Sequence, residues 1–530
     1  MAVTTELTRV LTPRQLLLPA VFTSGMTTLA VEVSAARLLG TVFGTSNIVW
    51  ANIIGLILIY LSAGYFIGGR WADRSPRFET FFRLLAWGSF TAGLVPVLAK
   101  PVLRQAAVAV QDFDAVIMAG SFLSVLILFS IPVTLLGCIS PFAIRLAITN
   151  PEQAGRISGK IYAISTIGSI LGTFLPVLWL IPTIGTARTF LAFSMVLLVL
   201  ALGGLALEGG YRKLIRYAWM PAALILLAIV GLSGPVKASA ASLYEAESSY
   251  NYIQVGEKDG LRVLYLNEGL AEHSIYSTQL GAAPYGYGTW EFFLVAPFFN
   301  APPVGLEAVQ RVGLIGLAAG TVAKQYSDIF GEVPIDGWEI DPEIIEVGRA
   351  YFDMNEPNLN PIVADGRWGL AQSAFLYSVI AVDAYRAPYI PWQLTTVEFF
   401  EEAKAHLDPD GVLAINVGRT QADRRLIEAL AGTLQAVFPS VYLVDIPGSF
   451  NSMLYATPQP TKAENLVHNL LALQDRGAPQ PLIDVLRRAT ENIRETPKST
   501  TVFTDDRAPV EQLINSIVLQ FVLDGMQGLP

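Results

Sequence analysis

The chain of 530 residues is poor in three kinds of residue that often define a class of protein. Its one cysteine, Cys138, excludes an internal disulfide and lies in an apolar run, where a packing role is expected. The three histidines, His273, His406 and His468, are not spaced as ligands, so we predict no metal site. Only 15% of the residues are charged, below the roughly 25% of ordinary globular chains, which argues against a wholly soluble protein.

The scarce charges are unevenly divided along the chain. Residues 1–239 contain 17 Lys and Arg against 8 Asp and Glu, a net charge of +9. The remaining residues contain 18 Lys and Arg against 36 Asp and Glu, a net charge of −18. An acidic C-terminal half argues against nucleic-acid binding. The contrast predicts an apolar, basic domain joined to an acidic, soluble one.

Long apolar runs fill the N-terminal half, and about 20 such residues are enough to cross a bilayer. We predict a multi-pass α-helical membrane domain over residues 1–238, with seven spans near 17–40, 47–69, 81–99, 115–144, 161–183, 188–207 and 217–234. Small residues recur in runs such as YLSAGYFIGG and STIGSILGTF, where they permit close helix contact. The expected location is the plasma or inner membrane of the cell.

Lysine and arginine mark the cytoplasmic side of membrane proteins. They concentrate at the N-terminus and in the loops after spans two, four and six, so the N-terminus is predicted to be cytoplasmic. Seven spans would place the C-terminal half outside, and a miscount of one span would reverse this, so its side stays open. Glu32 and Arg37 lie within the first span, where a structural pair and a transport role both fit.

The C-terminal half divides into three parts. Residues 239–309 hold a linker and alternating apolar and polar residues around a Lys-Asp-Gly turn, which predicts a small antiparallel β-region. Over residues 310–460, apolar strands alternate with helices, as in a doubly wound, Rossmann-like α/β domain. Residues 461–530 are assigned to a C-terminal helical region.

Residues suited to a nucleoside lie at the ends of the predicted strands, where doubly wound domains bind ligands. Gly316 and Gly320, in GLAAGT, let the backbone approach a ligand just before a helix N-terminus. Glu339 ends the next strand, where a carboxylate can accept both ribose hydroxyls; a solvated strand-end acid is the alternative. Asp365 and Asp383 follow the third and fourth strands, and the former could take the amino group of an adenine.

At these residues the chain resembles the spermidine synthase, or polyamine aminopropyltransferase, family in its membrane-fused branch. The segments YNYIQV, LNEGLAEHS, TWEFF, GWEIDPEII, VADG and LTTVEFFEEAKAHLDPDGVLAINV fall in the family's order. GGRWADR, LLGCISPFAIR, residues 159–185 and TDDRAPVE resemble the membrane-fused members. The resemblance implies a class I methyltransferase-type domain, fused to membrane helices, that uses an adenosyl-sulfonium donor.

The resemblance also implies roles for individual residues. The donor, decarboxylated S-adenosylmethionine or S-adenosylmethionine, would be bound by Gly316, Gly320, Glu339, Asp365 and Gly366. Asp383 would be the catalytic residue that takes a proton from the attacking amine. The acceptor would be contacted by Glu291, Tyr385 and Arg386. No metal is implied.

The polyamine side of the pocket departs from the family pattern. Ala319 stands where the family has an aspartate near the aminopropyl amine, and Arg386, in DAYR, replaces a carboxylate of DSSD. Phe450 replaces a pocket tyrosine, and the acidic pair after the β-region is reduced to Glu291. Because each ammonium group of a desolvated polyamine needs a carboxylate, free putrescine is predicted to be a poor acceptor.

Three functions fit these observations. The first is aminopropyl transfer from decarboxylated S-adenosylmethionine by a membrane-bound enzyme whose polyamine pocket is altered. The second is transfer of a methyl or other group from S-adenosylmethionine, with Arg386 holding the donor's carboxylate. The third is a transporter or sensor regulated by a nucleoside. The expected partners are the nucleoside donor and the lipid bilayer, with a second copy of the chain as a further candidate; the sequence does not give the oligomeric state.

Overall fold

The structure is a computed structural model that describes residues 12–43, 47–110, 115–231, 242–267, 271–385 and 389–523. The chain forms two compact units, Met1–Ala238 and Ser239–Pro530. The boundary between them falls where the apolar, basic half of the sequence gives way to the acidic half.

The first unit consists of helices because its long apolar runs contain few of the polar residues that turns require. The helices are α1 (Leu17–Phe43), α2 (Asn47–Arg74), α3 (Phe78–Val110), α4 (Ala115–Gly137), α5 (Ile139–Ala147), α6 (Ala154–Leu175), α7 (Ile181–Ile184), α8 (Thr186–Tyr217) and α9 (Trp219–Gly231). A 3₁₀ turn, Pro151–Gln153, precedes α6, and a π-helical turn, Pro176–Leu180, follows it.

Six stretches in the described part of this unit are long and apolar enough to cross a membrane: Leu17–Gly40, Val49–Arg74, Phe78–Leu103, Gly120–Ala147, Pro151–Ile184 and Thr186–Val230. The sequence predicts seven spans, and the difference lies in the last of these stretches, which has 45 residues. The predicted spans 188–207 and 217–234 fall within the last stretch, and the 13 residues of α9 are too few to count as a span alone.

The chain nevertheless reverses direction inside the sixth stretch. Gly209 and Gly210 interrupt α8, and Gly210 has a φ of +68°, a conformation that favours glycine. Both α8 and α9 pack along α3, but in opposite directions. The contacts are Gly204 with Phe82 and Ser194 with Gly93 for α8, and Trp219 with Phe90 and Leu224 with Gly93 for α9.

Small residues bring helix backbones into close contact, as their frequency in the sequence predicts. Gly168 and Gly172 of α6 face α1, where an added Cβ atom would lie 2.1 and 2.0 Å from the carbonyl oxygens of Phe22 and Met26. At Gly64 of α2, an added Cβ would lie 2.4 Å from a carbonyl oxygen of α4. A larger side chain at these positions would push the helices apart.

Ion pairs join the loops that carry the predicted cytoplasmic charges. Arg145 in α5 pairs with Asp73 in α2 (3.2 Å), and Lys213, beyond the break in α8, pairs with Glu79 in α3 (2.6 Å). Since α2 and α3 are joined by a short loop, these charges lie at one end of the bundle.

The second unit begins with a four-stranded antiparallel sheet in the order β1 (Ser242–Glu247), β2 (Tyr252–Lys258), β3 (Leu261–Leu266) and β4 (Glu272–Tyr276). Asp259 and Gly260, both with positive φ, form the tight turn between β2 and β3. A buried 3₁₀ segment, Trp290–Phe299, and a short one, Leu306–Ala308, lead to the larger sheet.

The larger sheet has eight strands in the order β12–β10–β11–β9–β8–β5–β6–β7. They are β5 (Val312–Ile315), β6 (Ile335–Glu339), β7 (Leu359–Val363), β8 (Tyr377–Val382), β9 (Leu407–Gly418), β10 (Ser440–Asp445), β11 (Asn451–Thr457) and β12 (Ile493–Arg494). Strands β5 to β9 are parallel, whereas β11 is antiparallel to both neighbours. This confirms the predicted Rossmann-like fold of the class I methyltransferase type.

Helices cover both faces of this sheet. They are α10 (Thr321–Phe330), α11 (Pro342–Tyr351), α12 (Gly366–Ala371), α13 (Val397–Ala405), α14 (Arg425–Gln435), α15 (Glu464–Asp475), α16 (Gln480–Glu491) and α17 (Val510–Leu523), with a 3₁₀ turn at Trp392–Leu394. The sheet continues beyond residue 460, the predicted end of the α/β domain, because β12 pairs with β10. The C-terminal region is therefore not purely helical.

Candidate active site

Strands β5 and β8 are adjacent at the point where the strand order reverses, and their ends meet closely. Gly316 follows β5 with a φ of +90°, and an added Cβ atom would lie 2.7 Å from the carbonyl oxygen of Asp383. The amide of Asp383 donates to the carbonyl of Ile315 at 2.9 Å. Gly316 is thus required both by its conformation and by this close approach.

The loop from Gly316 to Gly320 turns towards Glu339. Ala318 has a φ of +47°, and its amide donates to Oε2 of Glu339 at 3.0 Å. Gly320, with a φ of +87°, is the N-cap of α10, and an added Cβ atom there would lie 2.6 Å from Cγ of Met354. The amide of Ala319 donates to the Ser274 hydroxyl of the small sheet at 3.0 Å, and Ala319 is buried. The small sheet therefore fixes the outer side of this loop.

Glu339 is held at the end of β6 with only 8% of its surface exposed. Its other oxygen accepts from the amide of Asp341 at 3.1 Å. Burial raises the pKa of Glu339 to about 7, although the backbone hydrogen bonds act in the opposite direction. Asp341 in turn caps α11 and accepts from Asn251 of the small sheet at 2.8 Å. The carboxylate of Glu339 is thereby positioned before any ligand arrives.

Asp365 and Gly366 form the start of α12. The carboxylate of Asp365 accepts from the amide of Trp368 at 3.1 Å and so caps the helix. An added Cβ atom at Gly366 would lie 2.4 Å from Cγ2 of Ile315, so glycine allows α12 to approach β5.

Arg367, the next residue, was not identified from the sequence. Its guanidinium makes paired hydrogen bonds to Glu402 (2.9 and 2.7 Å) and to Asp505 (2.7 and 2.9 Å). Asp505 also accepts from the Thr396 hydroxyl at 2.7 Å. The TDDRAPVE segment therefore fastens α12, and with it Asp365, to α13 and to the C-terminal part of the unit.

Asp383 lies at the end of β8 and accepts a hydrogen bond from Nδ2 of Asn416 at 2.9 Å. Burial raises the pKa of Asp383 to about 6, and this hydrogen bond lowers it. Oδ1 of Asn416 is buried and has no hydrogen-bond partner among the described residues. Tyr385 donates to the main-chain carbonyl of Asn416 at 3.0 Å. Asn416, missed from the sequence, thus links the two predicted site residues.

Glu291, predicted to contact the acceptor, is only 2% exposed and makes internal bonds. One oxygen pairs with Arg488 of α16 at 2.8 Å, and the other accepts from the amide of Gly286 at 2.7 Å. Arg386 lies outside the described residues. The structure therefore gathers the predicted donor residues and Asp383 at one edge, and the roles of these residues, of Glu291 and of Arg386 stay predictions.

The described residues contain no group of three His, Cys, Asp or Glu side chains arranged to hold a metal ion. No family model matches the chain. A probable polyamine aminopropyl transferase of Bifidobacterium longum is 30% identical over 296 residues, which cover 53% of this chain and 64% of that protein. The human eEF1A lysine and N-terminal methyltransferase is 28% identical over 198 residues, covering 33% of this chain and 28% of that protein.

Among solved structures, a probable spermidine synthase from Corynebacterium glutamicum aligns with a TM-score of 0.37 and 19% identity, covering 49% of this chain and 96% of that one. The fold and the strand-end site define a Rossmann-like domain of the class I methyltransferase type. Within that class, the chain is similar in sequence to curated polyamine aminopropyltransferases. The chain spans less than two thirds of the length of these curated relatives.

Proposed function

We propose that the second unit transfers an alkyl group from an adenosyl-sulfonium donor to an amine, as an aminopropyltransferase does with decarboxylated S-adenosylmethionine. The observation that carries the proposal is the position of Asp383: a carboxylate at the sheet's reversal point, against Gly316 and hydrogen-bonded to Asn416. The names of the curated relatives support both this reaction and the alternative of methyl transfer.

The donor's nucleoside would lie along the ends of β5, β6 and β7. Glu339 would accept the ribose hydroxyls, and Asp365 would take the adenine amino group. Two apolar side chains near these acids are unusually exposed, Ile340 at 40% and Trp368 at 63%. We expect them to cover the adenine, since a nucleobase needs apolar surface on its faces as well as polar groups at its edge.

The transfer itself needs an uncharged amine nitrogen and a base for its proton. The nitrogen attacks the carbon next to the sulfonium, a C–N bond forms, and the C–S bonding pair neutralises the sulfur. The proton lost from nitrogen passes to Asp383. A pKa near 6 leaves this carboxylate ionised at neutral pH yet able to hold a proton, and such general bases contribute about 10² to 10⁴ in rate.

Free diamines should be poor acceptors. The acids that could have replaced the missing polyamine carboxylates are occupied by arginines: Glu291 by Arg488, and Asp505 by Arg367. Of these predicted acids in the described part of the chain, this leaves Asp383 for only one end of a diamine. These pairings support an altered acceptor. We therefore expect a low rate of transfer to putrescine.

The test uses the full-length protein in detergent. Calorimetry should show binding of methylthioadenosine or S-adenosylhomocysteine, and Glu339→Gln should weaken it about tenfold or more, the loss of a charge-assisted hydrogen bond. Asp383→Asn should abolish turnover with little effect on nucleoside binding. The proposal fails if wild-type protein binds no such nucleoside, or if Asp383→Asn retains full turnover.

Methyl transfer from S-adenosylmethionine is the second candidate. Ala319 favours it, because the aminopropyl ammonium group of decarboxylated S-adenosylmethionine would lack the family's nearby aspartate at this buried position. The product separates the two reactions: aminopropyl transfer releases methylthioadenosine, whereas methyl transfer releases S-adenosylhomocysteine. Incubation with each donor and chromatography of the nucleoside product decides between them.

We further propose that the first unit lies in a membrane with its arginine-rich end in the cytoplasm, as in the membrane-fused branch. The ion pairs Arg145–Asp73 and Lys213–Glu79 support this, since they collect the basic loops at one end. A reporter that works only in the cytoplasm should be active when it is fused at residue 76, and a periplasm-active reporter should not. A second fusion at residue 240 reports the side of the nucleoside-binding unit.

A further inference from the structure

A cluster of arginines lies around one carboxylate at the same edge of the large sheet. Arg419, Arg424 and Arg494 converge on Asp445, the last residue of β10. We propose that this cluster binds an anionic group, a carboxylate or a phosphate, carried by the acceptor whose amine reacts at Asp383. The assignment to an acceptor rests on the proposed transferase function, whereas the anion site itself can be tested alone.

The hydrogen bonds show how the cluster is built. Arg424 contacts both oxygens of Asp445 at 2.5 and 3.1 Å, and Arg494 reaches one of them at 3.1 Å. Nε of Arg419 donates to the Ser452 hydroxyl at 2.9 Å, and that hydroxyl donates to Asp445 at 2.7 Å. The two terminal nitrogens of Arg419 make no hydrogen bond within the described part of the chain, so they are free to bind a ligand.

The charges of the cluster do not balance. Burial raises the pKa of Asp445, but hydrogen bonds from Arg424 and Ser452 and the charge of Arg419 lower it to about 2, so it is ionised. Three guanidinium groups then face one carboxylate, an excess of two positive charges. The side chain of Arg419 is only 9% exposed. Burial and the charges of Arg424 and Arg494 lower the pKa of Arg419, and Asp445 raises it, so a second anion would be stabilising.

The cluster is within reach of the reacting centre. Asn416, which binds Asp383, and Arg419 are three residues apart at the end of β9, about 10 Å along an extended chain. Between them, Gly418 leaves open space: an added Cβ atom would have Tyr385 and Asn451 as its nearest neighbours, both at 4.0 Å. An acceptor with an amine at Asp383 could therefore extend past Gly418 to Arg419.

A purely structural network is the alternative, in which the arginines only join β9, β10, β12 and α14. Asp445 alone, however, would already be neutralised by its paired bonds to Arg424. Arg419 does not bond to it within 3.0 Å, its closest approach being 3.4 Å. A structural role thus does not require Arg419 to be charged, whereas an anion site does.

The first experiment measures anion binding without turnover. Thermal unfolding of the detergent-solubilised full-length protein is followed with 4-aminobutyrate, phosphoethanolamine or putrescine. We expect at least one of the two anionic amines to raise the unfolding temperature, and putrescine to have no such effect. The shift should disappear in Arg419→Gln and persist in Arg487→Gln, which removes an exposed arginine of α16. If Arg419→Gln does not fold, the half-exposed Arg494→Gln should reduce the shift.

The outcomes separate this inference from the proposed function. A protein that binds methylthioadenosine but shows no anion-dependent shift, or the same shift in Arg419→Gln, overturns the anion site. A protein that shows the Arg419-dependent shift but binds no nucleoside overturns the transferase assignment instead. If turnover is found, Arg419→Gln should raise KM for the preferred anionic amine about tenfold to hundredfold and leave KM for the donor unchanged. Equal use of putrescine and the anionic amines by wild-type protein also overturns the inference.

Discussion

The attachment of Arg367 to Asp505 can be tested by a single substitution. Asp505→Ala removes two hydrogen bonds from Arg367, at 2.7 and 2.9 Å, and one from the hydroxyl of Thr396 at 2.7 Å. Arg367 keeps its paired bonds to Glu402, so its guanidinium is not left without an anion. The substitution therefore loosens α12 from the C-terminal segment without burying an unpaired charge.

The size of the effect follows from the exposure of the pair. Hydrogen bonds to charged groups contribute about 1.5–3 kcal/mol, whereas exposed ion pairs contribute about 0.2–1 kcal/mol. The side chain of Asp505 is 40% exposed and that of Arg367 17%, so an intermediate loss is expected. We expect the free energy of unfolding to fall by about 1–2 kcal/mol. Because Arg367 directly follows Asp365 and Gly366, nucleoside binding should weaken about three- to tenfold.

The assay is calorimetric titration of the full-length protein in detergent with methylthioadenosine, together with thermal unfolding. Asp506→Ala is the matched control, because this neighbouring carboxylate is exposed and forms no ion pair in the described part of the chain. Asp505→Ala should weaken binding and lower the unfolding temperature, whereas Asp506→Ala should do neither. Equal dissociation constants for the two variants would refute the coupling between the C-terminal segment and the nucleoside site.

Three further predictions concern pH, backbone strain and helix packing. Burial raises the pKa of Asp383 from 3.8 to about 6 and that of Glu339 from 4.5 to about 7, so turnover should rise as the pH increases through 6. The contribution of these two groups to stability should be fully present below pH 3.8 and lost as the pH rises through 6 to 7. A melting temperature that rises between pH 6 and 7 in wild type and not in Asp383→Asn would contradict this. Ala318→Gly, at a φ of +47°, should stabilise the protein by about 0.5–1 kcal/mol in thermal unfolding, and the neighbouring Ala319→Gly should not. Gly172→Leu would place its Cβ 2.0 Å from a carbonyl oxygen of α1 and should abolish the folded, monodisperse protein in size-exclusion chromatography. Gly203→Leu is the control and should not, because an added Cβ atom there meets no atom within 4 Å.

The donor side of the candidate site could be predicted from the sequence because it follows from local patterns. Apolar strands that end in Gly316, Glu339 and Asp383 are visible as short runs, and parallel strands bring their carboxyl ends to one edge. The backbone conformation of the loop from Gly316 to Gly320 could not be predicted from such patterns. Ala318 adopts a positive φ that the sequence alone assigns to glycine, and its amide bonds to Glu339.

The parts that could not be predicted depend on contacts between distant residues. Arg367 and Asp505 are 138 positions apart, and Glu291 and Arg488 are 197 apart. No spacing rule connects such pairs, because their approach depends on how the last 70 residues return to the sheet. The number of spans stays a prediction for a related reason: hydropathy shows apolar length, but the break at Gly209 and Gly210 determines where the chain turns.

Under the proposed function, the pairing of acids with arginines predicts an acceptor that differs from the family's polyamine. A dication such as putrescine needs a carboxylate at each end once water is removed. Here Glu291 and Asp505 are neutralised, which leaves Asp383 at one end of the edge and Arg419 about three residues along β9 from Asn416. One carboxylate and one guanidinium, separated in this way, are complementary to a molecule with an amine at one end and an anion at the other. The charges of the edge therefore favour a zwitterionic acceptor over a diamine.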